Sequence, residues 1–297
     1  MEINRDELKA QFSILIGQSV DEKVLSGFEV KLKEAVETPA KLKFNLLFSS
    51  IPRQVGRNTV HVPAEQLSVL QDCRKGFDPS GWTVDRLCRV QLLLHLDPAI
   101  GKEEYLARVE ELFSVAEVNE QVALYSALPL YHFPEEFRFR TTEGIRTNMT
   151  SVFDAVALNN PYPFDYLEEA AWNQMVLKAL FMQRPVYRIY GIDQRANQAL
   201  ARILSDYAHE RWAAGRAVSP ELWRCVGPFI DEKLFEDINR LLKGNDPFKE
   251  EAAVLACYDS DFAGAKQVLA DRPRLAEMAR SGELNWNALG KDYEKEL

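Results

Sequence analysis

Apolar residues recur every three or four positions along almost the whole chain, and alternating strand-like runs closed by tight hairpin turns are missing. That period predicts an all-α protein. Leu87, Val90, Gln91 and Leu94 outline a helix beginning near Thr83, and after Asp97-Pro98 the next is outlined by Tyr105, Leu106, Val109, Leu112 and Phe113. A third helix is expected over 122–130. A fourth, over 142–158, carries Ile145, Met149, Val152, Phe153 and Val156 on one face, until Pro161 and Pro163 forbid continuation. The segment 168–181 is apolar around most of its circumference, the pattern of a helix covered on several sides. Asp193 predicts the N-cap of a long helix through residue 214, stopped at Gly215, and Ser219-Pro220-Glu221 supplies the cap, proline and first-turn acid of another. Helices over 235–242, 249–257 and 262–269 complete the pattern.

Short connections make successive helices antiparallel neighbours. The expected architecture is therefore an irregular stack of antiparallel helical hairpins, a HEAT/armadillo-like right-handed α-solenoid, with 237–269 its most repeat-like stretch. No Gly/Ser-rich linker divides the chain. We expect an N-terminal helical cap over 1–80, a central core over 81–229 carrying the polar motifs, and C-terminal hairpins over 230–297, all in one continuous domain.

Composition narrows the function classes. At 297 residues with 46% hydrophobic residues, the chain can bury a core without disulfides or metal. The net charge of −9 repels a phosphate backbone, so nucleic acid is not an expected partner. Cys73, Cys88, Cys225 and Cys257 stand far apart with no Cys-x-x-Cys pair, which predicts reduced thiols and no zinc site. The acidic start Met1-Glu2-Ile3-Asn4-Arg5-Asp6-Glu7 does not read as a secretory signal, and no apolar run approaches the length of a membrane span, so a cytoplasmic, non-spanning protein is expected. Walker-type loops, dinucleotide fingerprints and nucleophile elbows are absent, and no cofactor is expected.

Candidate chemistry lies where polar residues interrupt apolar helices. Asn173 and Lys178 do so within 168–181; buried, each needs a partner, which is either a ligand or a neighbouring helix and solvent. Arg140 to Asn148 gathers arginines, hydroxyls, a carboxylate and an amide in the first turns of a helix, suited to an anion through Arg146 and Asn148 or, more simply, to a threonine cap and a Glu143–Arg146 pair. Asn159-Asn160-Pro161-Tyr162-Pro163 reads as a left-handed cap followed by a helix stop, or as a pocket rim formed by Asn160 and Tyr162. Arg195 follows the Asp193 cap. The cluster 206–212 places Asp206, His209 and Glu210 on neighbouring positions of one helix, where His209 or Glu210 could work as acid–base with Lys178 as electrostatic stabiliser, or where Arg202, Asp206 and Glu210 form a solvated ladder. Lys41, Lys43, Arg53 and Arg57 make a basic stretch near the apolar 44–48, read as a solvated face or a patch for an anion or lipid surface.

Five strings taken together resemble one family: Glu143-Gly144-Ile145-Arg146-Thr147-Asn148, Asn160-Pro161-Tyr162-Pro163, Trp172 to Phe181, Asp193-Gln194-Arg195-Ala196-Asn197, and Tyr207 to Arg216. They are similar, in order, to the EboA family. That resemblance implies a place in a bacterial gene cluster that also encodes a UbiA-type membrane prenyltransferase and other enzymes, and that is associated with moving a secondary-metabolite precursor from cytoplasm to periplasm. It supplies no catalytic residues. The expectation is an accessory helical protein that binds or hands over a small polar or anionic metabolite through Arg146, Asn148, Asn160, Tyr162, Asn173, Lys178, Arg195 and His209, with no metal. The alternatives are a scaffold for the cluster's proteins, the prenyltransferase included, or an enzyme using His209, Glu210 and Lys178.

Overall fold

Helical periodicity becomes helix in a computed structural model that describes residues 3–37 and 41–296. The expected signal-free start at Met1 and Glu2 lies outside the described residues. Among these residues no strand forms, and a single antiparallel bridge joins Thr59 to Thr83. The chain divides into two compact units, Met1–Leu167 and Glu168–Leu297, with the division after the Tyr162–Tyr166 helix.

The first unit contains α1 (Arg5–Ser19), α2 (Glu22–Glu37), α3 (Lys41–Val55), α4 (Ala64–Cys73), α5 (Val84–Leu94), α6 (Lys102–Val115), α7 (Val118–Ser126), α8 (Arg138–Arg146), α9 (Thr150–Ala157) and α10 (Tyr162–Tyr166). At its centre α5 is buried along its whole length and packs on α1, α3 and α7. Its buried arginine is paired: Arg89 Nη1 donates to Asp85 at 2.7 Å and Nε to the Phe48 carbonyl of α3 at 3.0 Å. Those bonds offset the cost of taking both charges out of water.

The expected single helix over 142–158 is two. Thr147 is extended, its hydroxyl accepts from the Met149 N–H, and the chain restarts as α9. Threonine's local hydrogen bond competes with the helical one and wins here. Thr141 and Thr142 do not cap; inside α8 they donate to the carbonyls of Phe137 and Arg138.

The second unit contains α11 (Glu169–Phe181), α12 (Gln198–Ala213), α13 (Glu232–Leu241), α14 (Pro247–Tyr258), α15 (Ala263–Asp271), α16 (Pro273–Ser281) and α17 (Trp286–Glu294). The cap of α12 is Asn197, whose side chain accepts from the Leu200 N–H at 2.8 Å. The expected cap, Asp193, instead takes both Nε and Nη2 of Arg224, at 2.5 and 2.7 Å, a fork geometry stronger than a single capping bond. Gly215 does close α12 with φ +66°. Ser219-Pro220-Glu221 starts a 3₁₀ turn, Pro220–Cys225, and not an α-helix.

Residues Ala252 to Cys257 of α14 are all buried, because α13, α15, α16, α17 and the 3₁₀ turn surround it. A Cβ on Gly227 would come within 2.9 Å of the Ala256 backbone, so glycine there allows the close approach. The four cysteines are free and buried. No helix among the described residues is long and apolar enough to cross a membrane.

Candidate functional site

The candidate residues of the first unit are mostly consumed by its own architecture. Asn160 is 4% exposed; its amide donates to the carbonyls of Tyr125 and Ala155, at 3.2 and 2.8 Å, and its Oδ1 accepts from the Tyr162 N–H at 2.9 Å. Tyr162 is fully buried and donates its hydroxyl to the Pro134 carbonyl at 2.5 Å. Gly144, in the string Glu143 to Asn148, sits so close to Tyr125 and Val156 that a Cβ would meet them at 2.6 to 2.8 Å. Asn159 takes the left-handed conformation, φ +52°, that its amide tolerates. Arg146 and Asn148 are exposed, and Arg146 pairs with Glu143 at 2.9 Å, as the helical spacing suggested.

The second unit treats its polar residues differently. Asn173, buried on α11, exchanges amide hydrogen bonds with Asn197, at 3.2 and 2.9 Å, and so ties the middle of α11 to the start of α12. Arg195 lies over the Trp172 ring, 4.7 Å from its centre. His209 Nε2 contacts Asp237 Oδ1 at 2.6 Å, and the buried Asp237 also accepts from the Ser205 hydroxyl at 2.7 Å. The expected ladder of Arg202, Asp206 and Glu210 does not form, because Arg202 reaches Asp231 at 2.5 Å. Among the described residues no group of three His, Cys, Asp or Glu side chains is placed to hold a metal ion.

Lys178 leads to a cavity. Together with Gln174, Leu177 and Phe181 of α11, Tyr207, Glu210 and Arg211 of α12, and Arg216, it lines an open trough of about 590 Å³. Burial lowers the Lys178 ammonium below its ordinary value. Three cations face one carboxylate around this trough, an electropositive surface on a chain of net charge −9. Arg211 Nε donates to the Ala217 carbonyl at 2.9 Å, which fixes the guanidinium while leaving its other N–H groups for the cavity.

Tyr207 and Arg211 are shared with a smaller chamber of about 140 Å³, lined also by Leu180, Arg184, Ser219, Glu221, Tyr293 and Glu294. Glu221 is 4% exposed, and its two oxygens accept the N–H groups of Val186 and Tyr187, at 3.2 and 2.6 Å. It makes no ion pair within 4 Å among the described residues, since neighbouring Arg224 is engaged by Asp193 and Asn287. Burial pushes its carboxyl up to about 7 against the pull of those N–H groups. Gly290 of α17 leaves it room, because a Cβ there would stand 2.7 Å from Glu221 Oε1.

Of the eight expected ligand residues, Lys178 alone lines this cavity, beside the expected acid–base candidate Glu210. Glu221 reads in the sequence as an ordinary first-turn acid. Arg184, Tyr293 and Glu294 carry no local pattern, and contact between segments a hundred residues apart brings them to the chamber.

Compared with known families, the chain matches over residues 8–227 the model described as metabolite traffic protein EboA. No curated protein and no solved structure matches it.

Proposed function

The chain belongs to the EboA family, and from that membership and the cavity of its second unit we propose that it binds a small polar or anionic metabolite there and hands it on without transforming it. One observation carries the reading: Lys178, Arg211 and Arg216 gather on a concave surface that also offers Leu177, Phe181 and Tyr207. Cations supply attraction and orientation to an anion, and the apolar walls supply contact area. Within the second unit Asn173 supports the site by tying α11 to α12 through Asn197.

The wider setting is part of the same proposal. The metabolite is a precursor in transit, taken up on the cytoplasmic side and passed toward a membrane partner of the UbiA type. The successive packing of α13, α14 and α15 fits a HEAT-like unit, and α14 also packs on the 3₁₀ turn that carries Glu221. His209 has no place in either cavity lining and is tethered to Asp237, so a role in holding α12 to α13 suits it better than acid–base work.

Mass spectrometry of small molecules released from gently purified protein tests the proposal. Wild type retains an anionic compound in near-stoichiometric amount, and the R211A/R216A double variant, altered at positions outside the core, retains none. Equal retention by both proteins would overturn the assignment.

A further inference from the structure

The trough and the chamber differ in chemistry, and the difference specifies the ligand further than its charge. The trough is open and cationic, with Phe181, 65% exposed, and Leu177 as an apolar floor. The chamber is smaller and more enclosed, and the buried Glu221 carboxyl is part of its lining. Each carboxylate oxygen of Glu221 has taken one backbone N–H and keeps a second lone pair, and among the described residues no cation is paired with it within 4 Å. A buried carboxylate left in this condition gains much from a further hydrogen-bond donor.

An ammonium group entering the chamber would stand beside the Arg211 guanidinium, whereas a neutral hydroxyl carries no charge to meet it. Arg211 borders both spaces, so one molecule can set its acid group against that guanidinium from the trough while a short arm enters the chamber. At about 140 Å³ the chamber holds a substituent of a few heavy atoms and not a ring system with its own substituents.

Resting on the cavity assignment above, the geometry points to a hydroxylated organic acid as the ligand: a carboxylate or phosphate monoester on a flat apolar body, held by Arg211 and Arg216, whose hydroxyl donates to Glu221. Glu221 is then the residue that selects among anions. Arg211 and Arg216 bind them all. Glu294 is the weaker acceptor, because Arg188 Nη2 pairs with it at 2.8 Å and the Tyr187 hydroxyl donates to it at 2.6 Å.

A matched pair of probes tests this on the full chain without relying on a variant's folding. By titration calorimetry on protein stripped of retained small molecules, 4-(hydroxymethyl)benzoate binds about tenfold more tightly than 4-methylbenzoate, the return on one hydrogen bond to a buried charged acceptor. In E221Q, checked for folding by thermal melting, the preference for the hydroxylated acid falls below about threefold; a preference that stays about tenfold in E221Q overturns the assignment of Glu221 as its acceptor. Equal binding of the two acids to wild type overturns the hydroxyl assignment and leaves the anion cavity standing. Failure of both acids to bind overturns the anion cavity as well.

Discussion

The two units use similar residues to opposite ends. In the first, Asn160 and Tyr162 spend their polarity on neighbouring backbone and Gly144 its smallness on the side chains of Tyr125 and Val156, so the strings 143–148 and 160–163 hold α7, α8, α9 and α10 in register. In the second, α11 and α12 are joined by a buried Asn173–Asn197 pair at one place and diverge around a cationic trough at another. A string of unusual residues therefore reports constraint without saying whether the constraint is packing or binding. Where each donor and acceptor finds its partner decides between them.

The largest effect expected from this contrast concerns Glu221. Its carboxyl stands at about 7 in the folded chain, above the ordinary 4.5, so the folded state binds the extra proton between those values and stability falls as pH rises from 4.5 to 7. The loss attributable to this one group amounts to roughly 3 kcal/mol. In urea unfolding across that range, E221Q should show a decline shallower than wild type by that amount; parallel curves would mean that the buried carboxyl is not perturbed.

Asn160→Ala comes next. It removes two donors and an acceptor from buried backbone groups and should cost about 2–3 kcal/mol in the same measurement, with retention of the small molecule by the folded fraction unchanged. A smaller loss, about 1–2 kcal/mol, is expected for Asn173→Ala, which leaves Asn197 still able to cap α12 through its Oδ1. Arg146→Ala should change stability by less than about 0.5 kcal/mol, since its pairing with Glu143 is solvent-exposed and screened. A large loss of retained ligand in R146A would move the binding site into the first unit and break the contrast.

Much of the helical architecture is legible from periodicity because burial imposes it directly: α5 and α11 follow the apolar spacing of 84–94 and 169–181, and Gly215 ends α12 where a left-handed residue is required. Caps and breaks are less legible. Asp193 and Asn197 are both good N-caps by chemistry, and what assigns the role is Arg224, thirty-one residues from Asp193. The break at Thr147 depends on a single hydroxyl.

The site was partly legible for a related reason. Lys178 and Glu210 stand out as polar positions in strongly patterned helices, and both reach the trough. Glu221 does not stand out, because its burial is created by Gly290 and the turn at Val186 and Tyr187, neither of which is near it in sequence. His209 stands out and does not line the cavity, since its partner Asp237 belongs to another helix.

The most direct test of the central claim is hydrogen exchange on the protein as purified and again after its retained small molecules have been washed away. The account predicts that removal speeds exchange in peptides covering 174–181, 184–188 and 207–221 and leaves 141–163 unchanged. Acceleration at 141–163 with no change at 207–221 would contradict it.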